Sequence, residues 1–248
     1  MFSGYYTIAS GILTRQHEIN VAGNNLTNSQ TPGYRAERMV TSSFEQELLT
    51  RKDARRQNTI GPAAATAAAV ADVQLELQQG TLVESDRSCD MAIAGDGFFS
   101  VADAAGNEYL TRGGSFDLDA QGYLVLPGFG RVMGQNGYLR PGTSDFTVEP
   151  TGEMIGADGR RIGTIRVSVP SGNAVLKKAE NGLLRLESGG LERSPSSTLL
   201  QKKLEQSNVD LNRELAALIE TQRAFQICGA ALQIDDAMTR KATQIAAV

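Results

Sequence analysis

Apolar residues recur at helical spacing at both ends of the chain, and short strand-like runs lie between them. Near the N-terminus one stripe consists of Phe2, Tyr5, Ala9, Ile12, Ile19 and Leu26, separated by three, four or sums of these steps. The spacing predicts one helix over residues 1–26, about 40 Å long. Gln16 and Gly23 fall on the stripe, where small or polar residues let a partner helix approach. This helix carries few charged residues, so we expect it to pack against other protein surfaces instead of facing solvent.

The C-terminal stretch predicts a second helix, over residues 209–245 and about 55 Å long. One stripe contains Leu211, Leu215, Leu218, Phe225 and Leu232, with Gln222 and Gly229 on it. A second stripe contains Ile219, Ile227, Ala231, Ile234, Met238 and Ile245. Two stripes indicate that more than one side of this helix is buried. Asn208 or Asp210 is the expected N-cap.

The region between the helices divides into a connector and a β-rich segment. Pro32-Gly33 predicts a type II turn after the first helix. Residues 36–80 are interpreted as a connector, with a short helix capped by Ser42 or Ser43, a charge run at 51–56 and an Ala-rich stretch at 62–71. Residues 81–205 alternate short apolar runs with Gly and Asp turns, which is typical of an antiparallel sheet, sandwich or barrel. Helical spacing returns from Leu199.

These elements predict an α+β fold in which the terminal helices pair as a coiled coil beside a mainly antiparallel β domain. The expected divisions are 1–35, 36–80, 81–205 and 206–248. Apolar faces left open on such a pair need other copies of the chain, and a head-to-tail contact that does not close produces an open helical filament. The alternative from periodicity is that both helices cover one face of the sheet, as in an ordinary α+β domain.

Composition narrows the function classes. The 248 residues carry a net charge of −4, which disfavours a nucleic-acid surface. The sequence contains no run of 18 apolar residues, so no membrane span is expected. The N-terminus lacks the basic and apolar regions of a cleaved secretory signal, so none is expected. Cys89 and Cys228 lie far apart and are interpreted as two buried thiols.

Candidate chemistry is sparse. His17 is the single histidine and lies on the first predicted helix, so no zinc site and no catalytic histidine are expected. Asp117, Asp119 and Gly122 are similar to part of a calcium loop, but the third Asp or Asn position and the terminal Glu are missing. A hairpin turn accounts for the same residues. The sequence therefore predicts no metal, no cofactor and no enzyme.

Several motifs resemble the bacterial flagellar rod and hook family. Residues 22–28 (AGNNLTN) with 31–35 (TPGYR) resemble its N-terminal signature. Residues 206–210 (QSNVD) and 220–225 (ETQRAF) resemble two further signatures at the C-terminal helix. Residues 94–99 (AGDGFF) and 109–116 (YLTRGGSF) resemble the β domain of that family. Five motifs in the right order form a specific pattern, whereas any one alone is weak.

The resemblance implies a structural subunit of the flagellar basal-body rod, with the terminal helices forming an inner tube and the β domain outside. It implies self-assembly with other rod and hook proteins, passage through the flagellar type III export apparatus, and a rod that crosses the periplasm and transmits torque. No nucleic acid or small-molecule substrate is implied. The short chain favours a rod protein over a hook-type relative, and the Ala-rich region favours the proximal over the distal rod. A soluble enzyme or ligand-binding β domain is the remaining alternative.

The stripes and the resemblance together assign a set of residues to the assembly interface. They are Phe2, Tyr5, Ile12, Ile19, Asn25, Leu26, Asn28, Pro32, Gly33, Tyr34, Asn208, Val209, Leu211, Leu215, Leu218, Gln222, Arg223, Phe225 and Leu232.

Overall fold

A computed structural model describes residues 2–43, 50–53, 56–59, 68–172, 174–179, 182–193 and 197–246. Helix α1 spans Phe2–Thr27, and helix α2 spans Leu211–Ala246. Both predicted helices are therefore confirmed within two residues at each end. Among the described residues, no helix combines the length and apolar character needed to cross a membrane.

The described residues between the helices form short strands, and every strand pair among them is antiparallel. The strands are β1 (Glu37–Ser43), β2 (Thr50–Asp53), β3 (Arg56–Thr59), β4 (Ala68–Leu75), β5 (Leu82–Glu84), β6 (Met91–Ala94), β7 (Phe98–Ala102), β8 (Glu108–Thr111), β9 (Asp117–Leu118), β10 (Leu124–Leu126), β11 (Gly130–Gly134), β12 (Gly137–Tyr138), β13 (Phe146–Val148), β14 (Glu153–Gly156), β15 (Arg161–Thr164), β16 (Val167–Pro170), β17 (Val175–Lys178), β18 (Leu184–Ser188), β19 (Leu191–Arg193), β20 (Thr198–Gln201) and β21 (Lys203–Glu205). The structure is thus α+β, with a mainly antiparallel β region.

The chain divides into two compact units. The helical unit comprises Met1–Thr27, Ala36–Glu76 and Val209–Val248, and the β unit comprises Asn28–Arg35 and Leu77–Asn208. The segment 28–35 thus belongs to the β unit although both of its neighbours in sequence belong to the helical unit.

The β unit is built around one large sheet and a set of smaller ones. Its largest described sheet has ten strands, with the order β17-β18-β8-β7-β11-β10-β9 and with β12, β16 and β19 attached beside this path. The hydrophobic core includes Phe99 on β7, Leu124 on β10, Met154 on β14 and Phe116 just before β9, all with no exposed surface. Phe99 and Phe116 meet edge to face with ring centroids 5.1 Å apart, the geometry that aromatic quadrupoles favour.

Local signals fix the ends of the helices. Asp210 caps α2, because its Oδ1 accepts hydrogen bonds from the backbone N–H groups of Asn212 and Arg213 at 3.0 and 3.2 Å. After α1 the chain turns at Pro32-Gly33, where Gly33 has φ +71° and the Tyr34 N–H donates to the Thr31 carbonyl at 3.2 Å. This is the turn that the sequence predicts.

The region 36–80 differs from the predicted connector. β1 pairs with β4, from Glu37 opposite Leu75 to Ser43 opposite Ala68, and β2 pairs with β3. Ser42 and Ser43 therefore belong to a strand, and the short helix predicted after them falls mostly on residues 44–49, outside the described residues. The Ala-rich stretch lies partly outside them too, and its end forms the start of β4.

One further prediction was wrong. The helical spacing expected from Leu199 falls on β20 and β21, and α2 begins only at Leu211. Short apolar runs fit either period, so a neighbouring strand decides which one forms.

The Asp119 loop is a hairpin turn, as its residues predict. Asp119 Oδ1 accepts hydrogen bonds from the N–H groups of Gln121 and Tyr123 at 2.9 and 2.8 Å, and Gly122 has φ +79°. The other carboxylate oxygen binds Arg131 Nη2 at 2.8 Å. Both oxygens are thus engaged by the protein itself.

Candidate functional site

The helical unit holds α1 and α2 side by side in opposite directions. Asn25 Nδ2 donates to Glu214 Oε2 at 3.3 Å, and a Cβ placed on Gly11 would lie 3.8 Å from Cys228 Sγ. These two contacts are 14 residues apart on each helix and run in opposite order along the chain. The helices therefore run antiparallel and remain in contact over about 21 Å.

One face of α2 is partly covered within the chain. Its half-buried positions include Glu214, Leu218, Thr221, Phe225, Cys228 and Leu232, which alternate by steps of four and three. Positions that repeat every 3.5 residues on average lie along one side of the helix. Of the first predicted stripe, Leu218, Phe225 and Leu232 lie on this seam.

The face of α1 that is most buried is small and polar. Thr14, Ala22 and Asn25 are 6%, 7% and 1% exposed, and Thr14 satisfies its hydroxyl by donating to the Ser10 carbonyl at 2.9 Å. The Asn25 amide is anchored further, because it donates to the Glu37 carbonyl and accepts from the Glu37 N–H, both at 2.9 Å. Asn25 thus fixes the start of β1 on the helix.

Helix α2 keeps a second apolar face that the described residues leave open. On α2, Ile219, Ile227, Ile234, Met238 and Ile245 are 51–78% exposed. At 100° per residue they lie roughly opposite the half-buried seam. An apolar depression of about 510 Å³ on this face is lined partly by Ala216, Ile219 and Ile227. On α1 the predicted stripe lies roughly 140° from the buried face.

Exposure differs among the predicted interface residues on the helices. On α1, Tyr5 is 44% exposed and Ile12, Ile19 and Leu26 are half-buried, whereas the Phe2 side chain lies outside the described residues. On α2, Leu211 and Leu215 are 46% and 38% exposed, and Gln222 and Arg223 are also exposed. The helices therefore present both covered and open predicted positions.

The predicted turn residues lie in the β unit. Asn28 is half-buried and its carbonyl accepts the Thr31 N–H, while Pro32 is exposed. Gly33 packs so closely on Arg112 and Gly113 that an added Cβ would lie 2.1 Å from the Gly113 nitrogen.

Tyr34, which follows this turn, and Asn208, which precedes α2, pack within the β unit. Tyr34 is 5% exposed, and Lys178 lies over its ring with Nζ 4.2 Å from the centroid. Asn208 donates to the Gln78 carbonyl at 3.1 Å. Val209 begins the last segment of the helical unit and is half-buried. These motif residues are therefore packed within their own chain.

A buried ion cluster joins two of the motif segments in the β unit to strand β21. Glu205 Oε1 lies 2.7 Å from Arg35 Nη2, and Glu205 Oε2 lies 3.5 Å from Arg112 Nη1. All three side chains are at most 3% exposed. The Glu205 carboxylate also accepts the Gly80 N–H at 3.0 Å, and its backbone carbonyl accepts the Gly33 N–H at 2.8 Å. One residue therefore holds the N-terminal turn, the 78–80 segment and the strand β8 region together.

Burial governs the electrostatics of this cluster. Desolvation lowers the pKa of both Arg35 and Arg112, and the Glu205 carboxylate partly offsets that effect. Arginine stays protonated at any physiological pH, so the cluster keeps two buried guanidinium groups around one carboxylate. The Arg112 guanidinium also donates hydrogen bonds to the Ile93 and Gly95 carbonyls, whose oxygens help to stabilise its positive charge. The arrangement is suited to holding segments together, because every charged group is directed at protein atoms.

Sequence reasoning missed Glu205. The motifs contain Arg35 and Arg112, but a single Glu in the Lys203–Glu205 strand has no spacing that singles it out. Only the fold brings a residue 170 positions after Arg35 into contact with it.

The described residues offer little chemistry beyond packing. Burial raises the pKa of the Cys89 thiol, which makes it a poor nucleophile. His17 is exposed on α1, and no three His, Cys, Asp or Glu side chains in the described part of the chain are grouped closely enough to hold a metal ion.

Comparison with known proteins connects this arrangement to a family. The model of the flagellar basal body rod FlgEFG protein C-terminal region matches residues 200–245, and the flagellar hook protein FlgE/F/G D1 domain matches residues 92–135. The flagellar basal-body rod protein FlgG of Buchnera aphidicola subsp. Schizaphis graminum is 28% identical, covering 99% of this chain and 100% of that protein. FlgG of Agrobacterium fabrum is 29% identical, covering 93% of this chain and 94% of that protein. The rod protein FlgF of Caulobacter vibrioides is 26% identical, covering 91% of this chain and 90% of that protein.

The chain is similar to flagellar basal-body rod proteins along nearly its full length. The two family-model matches include both ends of the buried ion cluster, since Arg112 lies in the 92–135 match and Glu205 in the 200–245 match. The second match also covers almost all of α2, including its open apolar face. The family resemblance of the motifs is thus confirmed over most of the chain's length.

Proposed function

We propose that this chain is a structural subunit of the flagellar basal-body rod that assembles helically with copies of itself and with other axial proteins. The observation that carries the proposal is the open apolar face of α2, where five large side chains between Ile219 and Ile245 are more than half exposed. Contiguous apolar surface of this kind marks an interaction site in a protein that is otherwise well packed. Relatives along nearly the full chain bear the name of basal-body rod proteins.

The antiparallel helices form a coiled-coil layer in the assembly. The 4-3 spacing of Leu218, Thr221, Phe225 and Cys228 on α2 supports this, and Gly11 and Ala22 on α1 permit close approach. The polar residues Thr14 and Asn25 on the same face then specify the register of the pair, at some cost in stability.

The second faces of the helices bind neighbouring subunits. The α2 face around Ile227 and Ile234 covers the α1 stripe of another copy, which contains Tyr5, Ile12 and Ile19. Because the two surfaces differ, the contact is heterologous and repeats without closing, which generates a filament. Leu211, Leu215, Gln222 and Arg223 lie at the edge of the same layer.

The subunit acts mechanically and not as an enzyme. The rod crosses the periplasm and transmits motor torque to the hook, and its subunits travel unfolded through the flagellar type III export apparatus. Long terminal helices whose apolar faces are buried only by neighbouring subunits are suited to export in an unfolded state, because they become fully folded when they assemble. No nucleic acid, cofactor or small-molecule substrate takes part.

The decisive experiment is to locate the chain in isolated basal bodies. We expect mass spectrometry to find it there in stoichiometric amount, and electron microscopy to place a tagged copy in the rod. Deletion of the gene should leave basal bodies without a complete rod. Complete, functional rods that lack the chain would refute the proposal.

A further inference from the structure

The chain passes between its two compact units at four points, which lie after Thr27, Arg35, Glu76 and Asn208. A single chain segment that joins two units can rotate about its backbone φ and ψ angles, so it resists twisting poorly. Several segments resist twisting better when they are bound to one another where they enter a unit, because none of them can then rotate by itself.

Three of these crossings are tied together inside the β unit at the backbone carbonyl of Gln78. This carbonyl accepts a hydrogen bond from Nη1 of Arg35, the last residue before one crossing. It accepts a second one, at 3.1 Å, from Nδ2 of Asn208, the last residue before another crossing. Gln78 itself lies two residues beyond the third crossing, which follows Glu76. A carbonyl oxygen has two lone pairs, so this single acceptor can hold both donors.

Further contacts hold the same three segments. The Gly33 N–H donates to the Glu205 carbonyl at 2.8 Å, and the Gly80 N–H donates to the Glu205 carboxylate at 3.0 Å. The Gln206 N–H donates to the Thr81 carbonyl at 2.9 Å. A Cβ on Gly80 would lie 2.0 Å from the Gln206 carbonyl oxygen, so these two segments pack in close contact. The three segments are therefore bound to one another directly, and every one of these contacts lies inside the β unit.

We propose that Arg35, Gln78 and Asn208 form a mechanical joint, at which three connections of the β unit bear an applied torque together. The inference rests on the proposed function, in which the rod transmits torque. The joint is stiff against twisting because no segment can rotate unless its bonds to the other two break. Arg35 is 4% exposed and Asn208 is only half-buried, so the Asn208 bond is the one to remove without unfolding the β unit.

Hydrogen exchange of the full-length monomer tests whether the three segments open together. Asn208→Asp keeps the size of the side chain but replaces its donor with an acceptor, which repels the Gln78 carbonyl. We expect the amides of Gly33, Gly80 and Gln206 to exchange faster by a similar factor of about tenfold, since they belong to one cooperative unit that has lost a hydrogen bond.

Asn136→Asp is the matched control, because it makes the same chemical change at an exposed position in the turn between β11 and β12. It should leave the exchange of the three amides unchanged. Faster exchange of Gln206 alone in Asn208→Asp would show that the segments open independently and would overturn the inference. Unchanged exchange of all three amides would overturn it as well.

Cells test the mechanical consequence. Asn208→Asp should leave the amount of the chain in isolated basal bodies unchanged and should lower swimming speed more in a viscous medium than in dilute buffer, because the load on the rod is greater there. Asn136→Asp should swim like the original chain in both media.

The results separate this inference from the proposed function. If the original chain is absent from basal bodies, the rod function itself fails. If the original chain is present and Asn208→Asp swims normally at every load, only the joint is refuted. If Asn208→Asp is missing from basal bodies that contain the original chain, Asn208 is needed for assembly and the joint is again refuted.

Discussion

Asn25 and Glu214 are 189 residues apart in sequence, yet Asn25 Nδ2 donates to Glu214 Oε2 at 3.3 Å. This contact joins the end of α1 to the first turn of α2, where a carboxylate also compensates the positive end of the helix dipole. The same amide binds both backbone groups of Glu37. One side chain thus ties together both helices and the first strand of the helical unit.

Replacing Asn25 should loosen this junction. Asn25→Ala removes two hydrogen bonds to the Glu37 backbone in a buried position, and we expect it to destabilise the helical unit by about 2 kcal/mol. Amide exchange followed by mass spectrometry should show faster exchange in β1 and β4. Asn20→Ala, on an exposed position of the same helix, should leave exchange there unchanged. Equal effects of the two substitutions would contradict the role assigned to Asn25.

Gly33 and Gly159 provide a matched test of close packing. Their φ angles are +71° and +72°, so an alanine at either position pays a similar conformational cost of about 1–2 kcal/mol. A Cβ on Gly33 would also collide with the backbone of Arg112 and Gly113, whereas one on Gly159 would have no neighbour within 4 Å. Urea unfolding should therefore show a clearly larger loss of stability for Gly33→Ala. Similar losses of stability for the two variants would show that the 28–35 segment can shift to accommodate the added Cβ at little cost.

The ion cluster should be sensitive to loss of one partner. Arg35→Ala leaves the buried Glu205 with only the Arg112 guanidinium, 3.5 Å away, and we expect a loss of about 3–5 kcal/mol in the free energy of unfolding. Arg35→Lys should recover only part of it, since an ammonium does not reproduce the fork of donors. Lys177→Ala breaks an exposed pair with Glu187 and should cost less than about 1 kcal/mol. Chemical unfolding of the full chain measures all three.

The open face of α2 should matter for assembly and not for the monomer. Ile227 and Ile234 are 69% and 60% exposed, so Ile227→Asp with Ile234→Asp should change monomer stability by less than about 1 kcal/mol. The same change buries two charges in an assembled layer and should remove the chain from isolated basal bodies.

Two further variants serve as comparisons for this test of the α2 face. Gln233→Asp, also on an exposed position of α2, should assemble normally. Leu218→Asp, on the half-buried seam, should lose assembly and also weaken the helix pair. Normal rods with both isoleucines replaced would show that another surface mediates the contact.

Asp103 should titrate below its ordinary range. A hydrogen bond from the Asn107 side chain, followed by backbone hydrogen bonds, lowers its pKa. A folded-state pKa that is depressed adds stability above the unfolded-state value, and this is lost as the pH falls through the folded-state value. Asn107→Ala should move the NMR titration midpoint of Asp103 upward. An unchanged midpoint would show that the side-chain hydrogen bond is not its cause.

The long helices were predictable because their patterns extend over many turns and their ends carry local signals. Asp210 caps α2 through its own side chain, and Pro32-Gly33 makes its turn from adjacent residues. Such interactions are contained in a few consecutive positions. The strand at Leu199 was not predictable, since its formation depends on pairing with Ile93 more than 100 residues earlier.

The packing faces of the helices show a different limit. The apolar stripe of α1 is plain in the sequence, but the residues most buried within the chain are Thr14, Ala22 and Asn25. Close helix contacts use small residues, and these produce no hydrophobic periodicity. A pattern of apolar positions therefore finds a face that needs covering without identifying the neighbour that covers it.

The position of Glu205 sets an order of events during synthesis. Arg35 and Arg112 are made long before the carboxylate that neutralises them, so their burial must wait until the last fifth of the polypeptide emerges. A nascent or truncated chain ending before this residue would have to leave both guanidinium groups in water. We therefore expect a chain that lacks Glu205 not to form the packed arrangement around Arg35 and Arg112.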